Sequence, residues 1–460
     1  MIDKLFFVVL VLNATGLFSF LAEEFDVSIA IVTGTLLGLN IFYLIIKLRY
    51  SIAVFRMAGI GMLNWFVILL VWPLFTLLYA QSLEIREIGL QVYYFTLFSG
   101  AAIYTIANGL TSMRRLLAVS LVITIFGMVL NLLAPQYFEA VSYIAGAEVL
   151  KEGRVCGFIL QPNQLALSLD FMFIAWFMLW GRRRIWLEAA AILIFMLLIL
   201  LTGSRTGMVS TAIIVIFILM PERNVVSRRY LLKLGTLMLA LVAGIAAMKF
   251  YLAQINYTDV HEDDLINRME LMLNFKLGNE DDIKNIGSIQ QRIDTQAFYW
   301  SLFKESPLFG HGFGAEAYYK ESGNIFLSAH SDALKSAMEY GFLYPAVFCL
   351  LVLLLYRRKS RREIERFLKV NSIGQFVSIT VLLFCMGSIM DTRTFYIILG
   401  MFFAVVYCPR RVFCYDDTSH ITRVLSRREI TGYYKRKQRR IVTADSDFDD
   451  KNTCELGMEL

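Results

Sequence analysis

Charged side chains are scarce in this sequence: Asp, Glu, Lys and Arg make up 18% of its 460 residues, against 57% hydrophobic residues and a mean hydropathy of +0.59. That shortage excludes a soluble globular protein, in which about a quarter of the residues are charged. Histidine and cysteine are also scarce, at four and six. Neither type falls in a compact ligand spacing, so no metal centre or disulfide framework is indicated. Only seven prolines interrupt the chain, which leaves long apolar runs free to be helical.

Those runs are what the chain has in abundance. Crossing a hydrocarbon core of about 30 Å takes about 20 apolar residues in a helix, because lipid cannot satisfy free backbone groups. The sequence predicts an all-α polytopic membrane protein of about twelve transmembrane helices, at 5–22, 28–46, 57–80, 88–108, 116–134, 164–181, 185–203, 206–220, 231–252, 333–356, 372–390 and 393–409. The first run is flanked by Lys4 and has no small-x-small cleavage site before Glu23, so it reads as a retained helix. Pro73 predicts a kink in the third.

Basic residues set the expected orientation. With Lys4 on the cytoplasmic side, the connectors bearing Lys47, Arg49, Arg56, Arg114, Arg115, Arg182, Arg184, Arg223, Arg228, Arg229, Lys233, Arg357 and Lys369 share that side. The short connectors opposite hold only Arg86, Lys151, Arg154, Arg205 and Arg393. This is the positive-inside asymmetry, with both termini cytoplasmic and the long loop outside. It accounts for the net charge of +6 without a nucleic-acid partner. The expected layout is helices one to nine in 1–252, an outer loop in 253–332, helices ten to twelve in 333–409 and a weakly ordered cytoplasmic tail in 410–460. The basic run Lys435–Arg440 in that tail suits anionic membrane lipid.

Three outer features break the apolar pattern: Pro135 to Asn163, the tight turn Gly203-Ser-Arg-Thr-Gly207, and the long loop. In the loop, Ser288 is placed to cap a helix to about Phe303, with Ile289, Ile293, Ala297 and Trp300 on one face and Arg292 beside them. Pro307 ends it, Gly310-His-Gly-Phe-Gly314 reads as a flexible turn, and a last helix starts near His330 and runs into the tenth span.

Arg205 is the sharpest signal. An arginine at the rim of a span costs about 2.5–3.5 kcal/mol on insertion scales and marks a functional site by default. Ser204 and Thr206 add hydroxyls, Gly203 and Gly207 allow close approach, and the group suits a diphosphate held by paired charge-assisted hydrogen bonds. The other reading is a snorkelling anchor. Arg292 stands in a loop with twelve acidic and six basic residues between Ala253 and Leu327, so it either serves a site or bridges to Asp294 or another loop acid. His330 suits proton transfer near neutral pH, with Ser331 or Asp332 to orient it, or is a polar cap. His311 between glycines shapes the turn, and His261 among Glu262, Asp263 and Asp264 reads as solvated.

Five motifs then converge in order: Gly157-Phe-Ile-Leu-Gln-Pro-Asn163 opening a span, Gly203-Ser-Arg205-Thr-Gly207 between two spans, Arg292 ahead of Trp300, Ser306-Pro-Leu-Phe-Gly310-His-Gly312-Phe-Gly314, and Ala329-His330-Ser331 leading to Glu339-Tyr-Gly341. Their order and setting resemble the O-antigen ligase and polymerase family of bacterial inner-membrane glycosyltransferases. The resemblance implies a glycan donor on undecaprenyl diphosphate, bound by Arg205 and Arg292, with His330 activating an acceptor hydroxyl on the periplasmic side. The wider substrate-binding set it implies is Arg154, Asn163, Ser204, His311, Gly312 and Ser331. No cofactor or metal is implied, since two arginines neutralise the leaving diphosphate. Ser331 stands where members often carry asparagine.

The resemblance leaves the acceptor open. A polymerase extends a lipid-linked repeat unit, a ligase loads lipid A–core, and a related enzyme glycosylates protein. The lack of a large basic outer surface leans towards polymerase, with a chain-length regulator or other assembly proteins as partners. A lipid-linked oligosaccharide flippase is the contrasting class. It calls for polar residues along mid-span positions, where Asp170 is the main example.

Overall fold

Two apolar helices with little room for side chains between them form the centre of the bundle. In this computed structural model the described residues are 2–48, 52, 60–80, 85–138, 155–180, 185–219, 287–322, 329, 331–357 and 372–408; the side chains of Arg205 and Arg292 are not described. The expected span at 231–252, most of the long loop, Arg154, His330 and the tail beyond Pro409 lie outside these residues.

All elements among the described residues are helical. In chain order they are α1 (Ile2–Thr15), α2 (Leu17–Glu24), α3 (Ile29–Ile46), α4 (Ile60–Phe66), α5 (Ile85–Leu133), α6 (Pro162–Trp180), α7 (Ile185–Leu201), α8 (Arg205–Leu219), α9 (Gly287–Glu305), α10 (Ala315–Glu321), α11 (Asp332–Tyr340), α12 (Leu343–Arg357), α13 (Ser372–Met386) and α14 (Arg393–Tyr407). α14 lies along α5, and α1 and α3 pack on the same helix. Every α14 residue from Thr394 to Val406 is buried, as expected of a helix apolar on all sides. Gly400 makes the approach possible, since a Cβ there would meet the Phe98 carbonyl oxygen at 2.4 Å.

Among the described residues, three helices (Ile29–Ile46, Gly61–Tyr79 and Glu87–Leu133) are long and apolar enough to cross a membrane, together with one bent pair and shorter apolar helices. The bent pair is α1 and α2, which the sequence reads as one span; they meet at 80°. Gly16 makes the bend, with φ 69° and no space for a Cβ, which would lie 2.8 Å from the Ile159 Cα. Arg114 and Arg115, read as a connector, lie inside a helical stretch instead. Its interruption is at Gly109 (φ 71°, ψ −179°), a backbone that a side chain would strain. Pro73 follows a π turn at Val67–Val71, a local shift in hydrogen bonding that accommodates the amide proline lacks, and Gly61–Tyr79 runs across it as one helix.

The tenth span also differs from the sequence reading. α11 does not run into α12, because Gly341 (φ 79°) ends it. α11 has nine residues and carries Asp332, Lys335 and Glu339, so it is too short and too charged to cross a bilayer. We treat α12 as the span and α11 as a separate helix at its end.

Charges sort to the two ends of the bundle. Lys47 pairs with Asp3 at 2.9 Å, beside Tyr43 and Asn108, and Arg114 Nε donates to the Leu179 carbonyl at the far end of α6. The N-termini of α6, α8 and α14 are at the opposite end, where the candidate site is built.

Candidate functional site

The turn between α7 and α8 is held by its own hydroxyls. Thr202 Oγ1 donates to the Ile199 carbonyl at 2.6 Å and accepts from the Ser204 amide. Ser204 Oγ in turn accepts from the Gly207 amide at 3.2 Å, which caps α8. Ser204 is almost fully buried, so its acceptor role is spent on the helix. Gly203 takes a left-handed φ of 61°. Gly207 lets α8 touch α6, since a Cβ there would lie 2.6 Å from the Ala166 Cβ. One turn further, Asp170 of α6 accepts from Ser210 and, at 2.6 Å, from Thr211. The mid-span acid thus locks α8 to α6 in register, and position 205 is the first residue of α8.

The preceding outer turn joins the same place. The Val155 amide donates to the Leu201 carbonyl at 3.2 Å, which ties this turn to the end of α7. Asn131 Oδ1 accepts from the Cys156 and Gly157 amides and fixes this turn, a role with no local sequence signal. Leu160 is left-handed (φ 63°) immediately before the Gln161-Pro162 start of α6, which leaves Asn163 half-exposed near its N-terminus.

The start of α11 docks onto the break after α13. The Asp332 amide donates to the Gly387 carbonyl at 3.0 Å, and Asp332 Oδ2 accepts from the Met390 amide at 2.7 Å. Ser331 Oγ caps α11 by accepting from the Leu334 amide at 3.3 Å. Gly387 also faces α8, where a Cβ would sit 3.6 Å from the Thr206 methyl. The neighbours of Arg205 and of His330, Thr206 and Asp332, therefore meet on one glycine.

α9 is turned differently from the sequence reading. Ile293, Ala297 and Trp300 are exposed. The packed face carries Tyr299 and Leu302, buried with Ala315, Ala329 and Met338. Position 292 is seven residues before Tyr299 and so shares that packed face, which is directed at α11. The cause is Tyr299 itself, whose hydroxyl donates to Glu316 at 2.8 Å and turns its ring inward.

The glycine-rich turn is clamped rather than loose. The His311 and Gly312 amides donate to the Met338 and Glu339 carbonyls, both at 2.8 Å. A Cβ at Gly310 would lie 2.4 Å from the Glu339 backbone, and one at Gly312 would lie 2.7 Å from the Ala80 Cα. His311 Nε2 lies 2.8 Å from the Leu302 carbonyl, so its proton there is donated inward and the ring braces the turn.

A buried ionic cluster backs these elements. Lys335 Nζ lies 2.6 Å from Glu316 Oε2 and 3.9 Å from Asp391; Lys320 pairs with Glu316 at 3.0 Å, and Glu339 Oε1 accepts from the Glu316 amide at 3.3 Å. Burial alone would raise the Glu316 carboxyl, but the Lys335 and Lys320 charges outweigh it and hold it below the usual range. Burial opposes a charged Lys335 too, yet the surrounding carboxylates raise its pKa. Burial pushes Glu339 up to about 7, only partly offset by Lys335. Asp332 is raised by burial and then by the charge of Asp391. Sequence reasoning missed this cluster because its members are ordinary acids and lysines, scattered over 76 positions from Glu316 to Asp391.

Among the described residues, no cluster of His, Cys, Asp and Glu is arranged to hold a metal ion. The family model described as O-Antigen ligase matches residues 189–349, a stretch with Arg205, Arg292, His311, Gly312, His330 and Ser331 but without Arg154 and Asn163. No curated protein matches the chain.

Proposed function

From this match, which supports the O-antigen ligase and polymerase family of membrane glycosyltransferases, we infer that the chain moves a glycan from undecaprenyl diphosphate to an acceptor hydroxyl on the periplasmic face of the inner membrane. The observation that carries the reading is the meeting of Thr206 and Asp332 at Gly387. It brings the backbone of Arg205 and the segment after His330 to one spot, while α9 presents the face of position 292 to α11.

In this reading, Arg205 and Arg292 hold the diphosphate with paired hydrogen bonds and neutralise the charge it gains on leaving. The acceptor oxygen attacks the anomeric carbon, the bond from that carbon to the phosphate oxygen breaks, and the configuration inverts. His330 takes the acceptor proton. The N-terminus of α8 adds a positive dipole end at Arg205.

The polymerase form is favoured over the ligase because the charges around Glu316 and Lys335 pair with one another and offer no broad basic surface for a phosphorylated core. Asp170 was the argument for transport. Its occupation by Ser210 and Thr211 supports a packing role and weakens a flippase reading. Gene deletion followed by analysis of the surface glycan is the test. A single repeat unit on the core indicates a polymerase, full-length chains stranded on undecaprenyl diphosphate indicate a ligase, and an unchanged glycan overturns both.

A further inference from the structure

Arg393 opens α14 and lies outside the segment matched by the family. It is half-buried, and its guanidinium is held in a fixed pose. Nη1 donates to Ser19 Oγ at 3.2 Å, and the group stacks over the Phe18 ring at 4.3 Å. Both partners belong to α2, the short helix turned back at Gly16. Its Nε is buried and meets no acceptor, and among the described residues no carboxylate pairs with it. A half-buried cation with no carboxylate against it among the described residues is costly, and stacking on one phenylalanine offsets only part of that cost. An oriented arginine with a free buried donor is built for an anion.

Its place relative to Arg205 follows from α6. Thr394, next to Arg393, donates to Ser168 Oγ at 3.2 Å, while Thr211 of α8 donates to Asp170. Two residues along a helix turn the side chain by about 200°, so α14 and α8 flank opposite faces of α6. Counting back along α8 and α14 puts positions 205 and 393 level with about residues 164 and 167 of α6, about 5 Å apart in depth. The two positions thus lie on opposite sides of α6.

We propose that Arg393 binds the phosphate headgroup of the lipid-anchored acceptor, a second site at the depth of the donor diphosphate. This rests on the transferase reading, because a reaction between two lipid-anchored partners needs two headgroup sites side by side. Bulk anionic phospholipid offers the same chemistry and is the competing source.

The experiment uses the full chain in nanodiscs of zwitterionic lipid, titrated separately with undecaprenyl diphosphate and with phosphatidylglycerol, and bound lipids are counted by native mass spectrometry. Wild type is expected to retain two diphosphate lipids per chain. Arg393→Gln is expected to retain one, and Arg393→Lys, which keeps the charge without the fork, is expected to bind the second about tenfold more weakly. Two retained by both variants overturns the proposal, as does loss confined to phosphatidylglycerol, which would make Arg393 a membrane anchor. Arg205→Gln separates the two readings: if it keeps both diphosphates while Arg393→Gln loses one, the donor assignment fails and the Arg393 site stands.

Discussion

The amide of Asp332 donates to the carbonyl of Gly387 at 3.0 Å. This bond ties the first residue of α11 to the break between α13 and α14, and the same glycine faces Thr206 of α8. The junction sets the distance between the residues that would bind the diphosphate and the one that would take the proton. An alanine there meets the Leu383 carbonyl oxygen at 3.1 Å, a few tenths of an ångström too close, and Thr206 at ordinary contact. A leucine has to push Thr206 aside. Gly387→Ala is expected to keep most of the transfer rate, and Gly387→Leu to lose about 10²-fold, the scale of a 1 Å misplacement. Rates on purified chain with lipid-linked substrate decide it. A folded leucine variant working at the wild-type rate removes the junction from the mechanism.

Lys335 holds three carboxyl groups together behind that junction. Lys335→Met leaves Glu316 with Lys320 as its remaining cation and Asp391 without this one. The expected loss is about 1–3 kcal/mol, below the cost of a fully dry pair because Lys335 keeps 27% of its side-chain surface in solvent. Thermal unfolding in detergent measures it. A melting temperature equal to that of wild type would show the cluster to be ornamental.

The same cluster gives stability a pH dependence of known sign. Glu339 titrates at about 7, above its ordinary 4.5, so its contribution is complete below about 4.5 and lost as pH rises through about 7. Asp332 is shifted the same way. Glu316 is shifted down, so its contribution is present above 4.5 and lost as pH falls below that. Thermal stability is therefore expected to peak on the acid side of neutrality and to fall by about 1–3 kcal/mol towards pH 8. Glu339→Gln should flatten, though not abolish, that fall, because Asp332 remains. A decline of wild-type size in the glutamine variant assigns the titration elsewhere.

The all-helical, apolar character of the chain and its family resemblance were legible because both rest on local pattern: apolar length for the one, glycine and arginine at fixed neighbours for the other. What stayed illegible depends on contacts between distant segments. Nothing near Ile293 or Trp300 tells which face of α9 is buried, because Glu316 decides it by accepting the Tyr299 hydroxyl. Gly16 lies inside the first apolar run and Gly109 just past the fourth, and each takes a positive φ that interrupts its helix. The sequence pattern carries a helix through Gly341. Its Cβ would lie 2.0 Å from the Leu308 carbonyl oxygen, so a segment 33 positions upstream, just before the glycine turn, closes on the end of α11. In the sequence Arg393 is one of a few outer basic residues, because its contacts with Ser19 and Phe18 are a property of the packed structure.

The residues proposed to act on substrate should separate by kinetic signature. Arg205→Ala and Arg292→Ala each remove a donor to the leaving diphosphate, so each is expected to lower kcat/KM by about 10²–10³. His330→Ala removes the base and is expected to lower kcat by about 10²–10⁴ with less effect on donor binding. If Arg205 and Arg292 clasp one diphosphate, the double variant should cost much less than the product of the two single losses, as happens when groups act as a unit. The His330 variant should also lose the acid limb of the pH–rate profile, because the base that must be unprotonated to act is gone. All three chains should insert and melt as wild type does. Full multiplication of the two arginine effects would place them on separate ligands, and an unchanged acid limb in His330→Ala would give the proton to another residue.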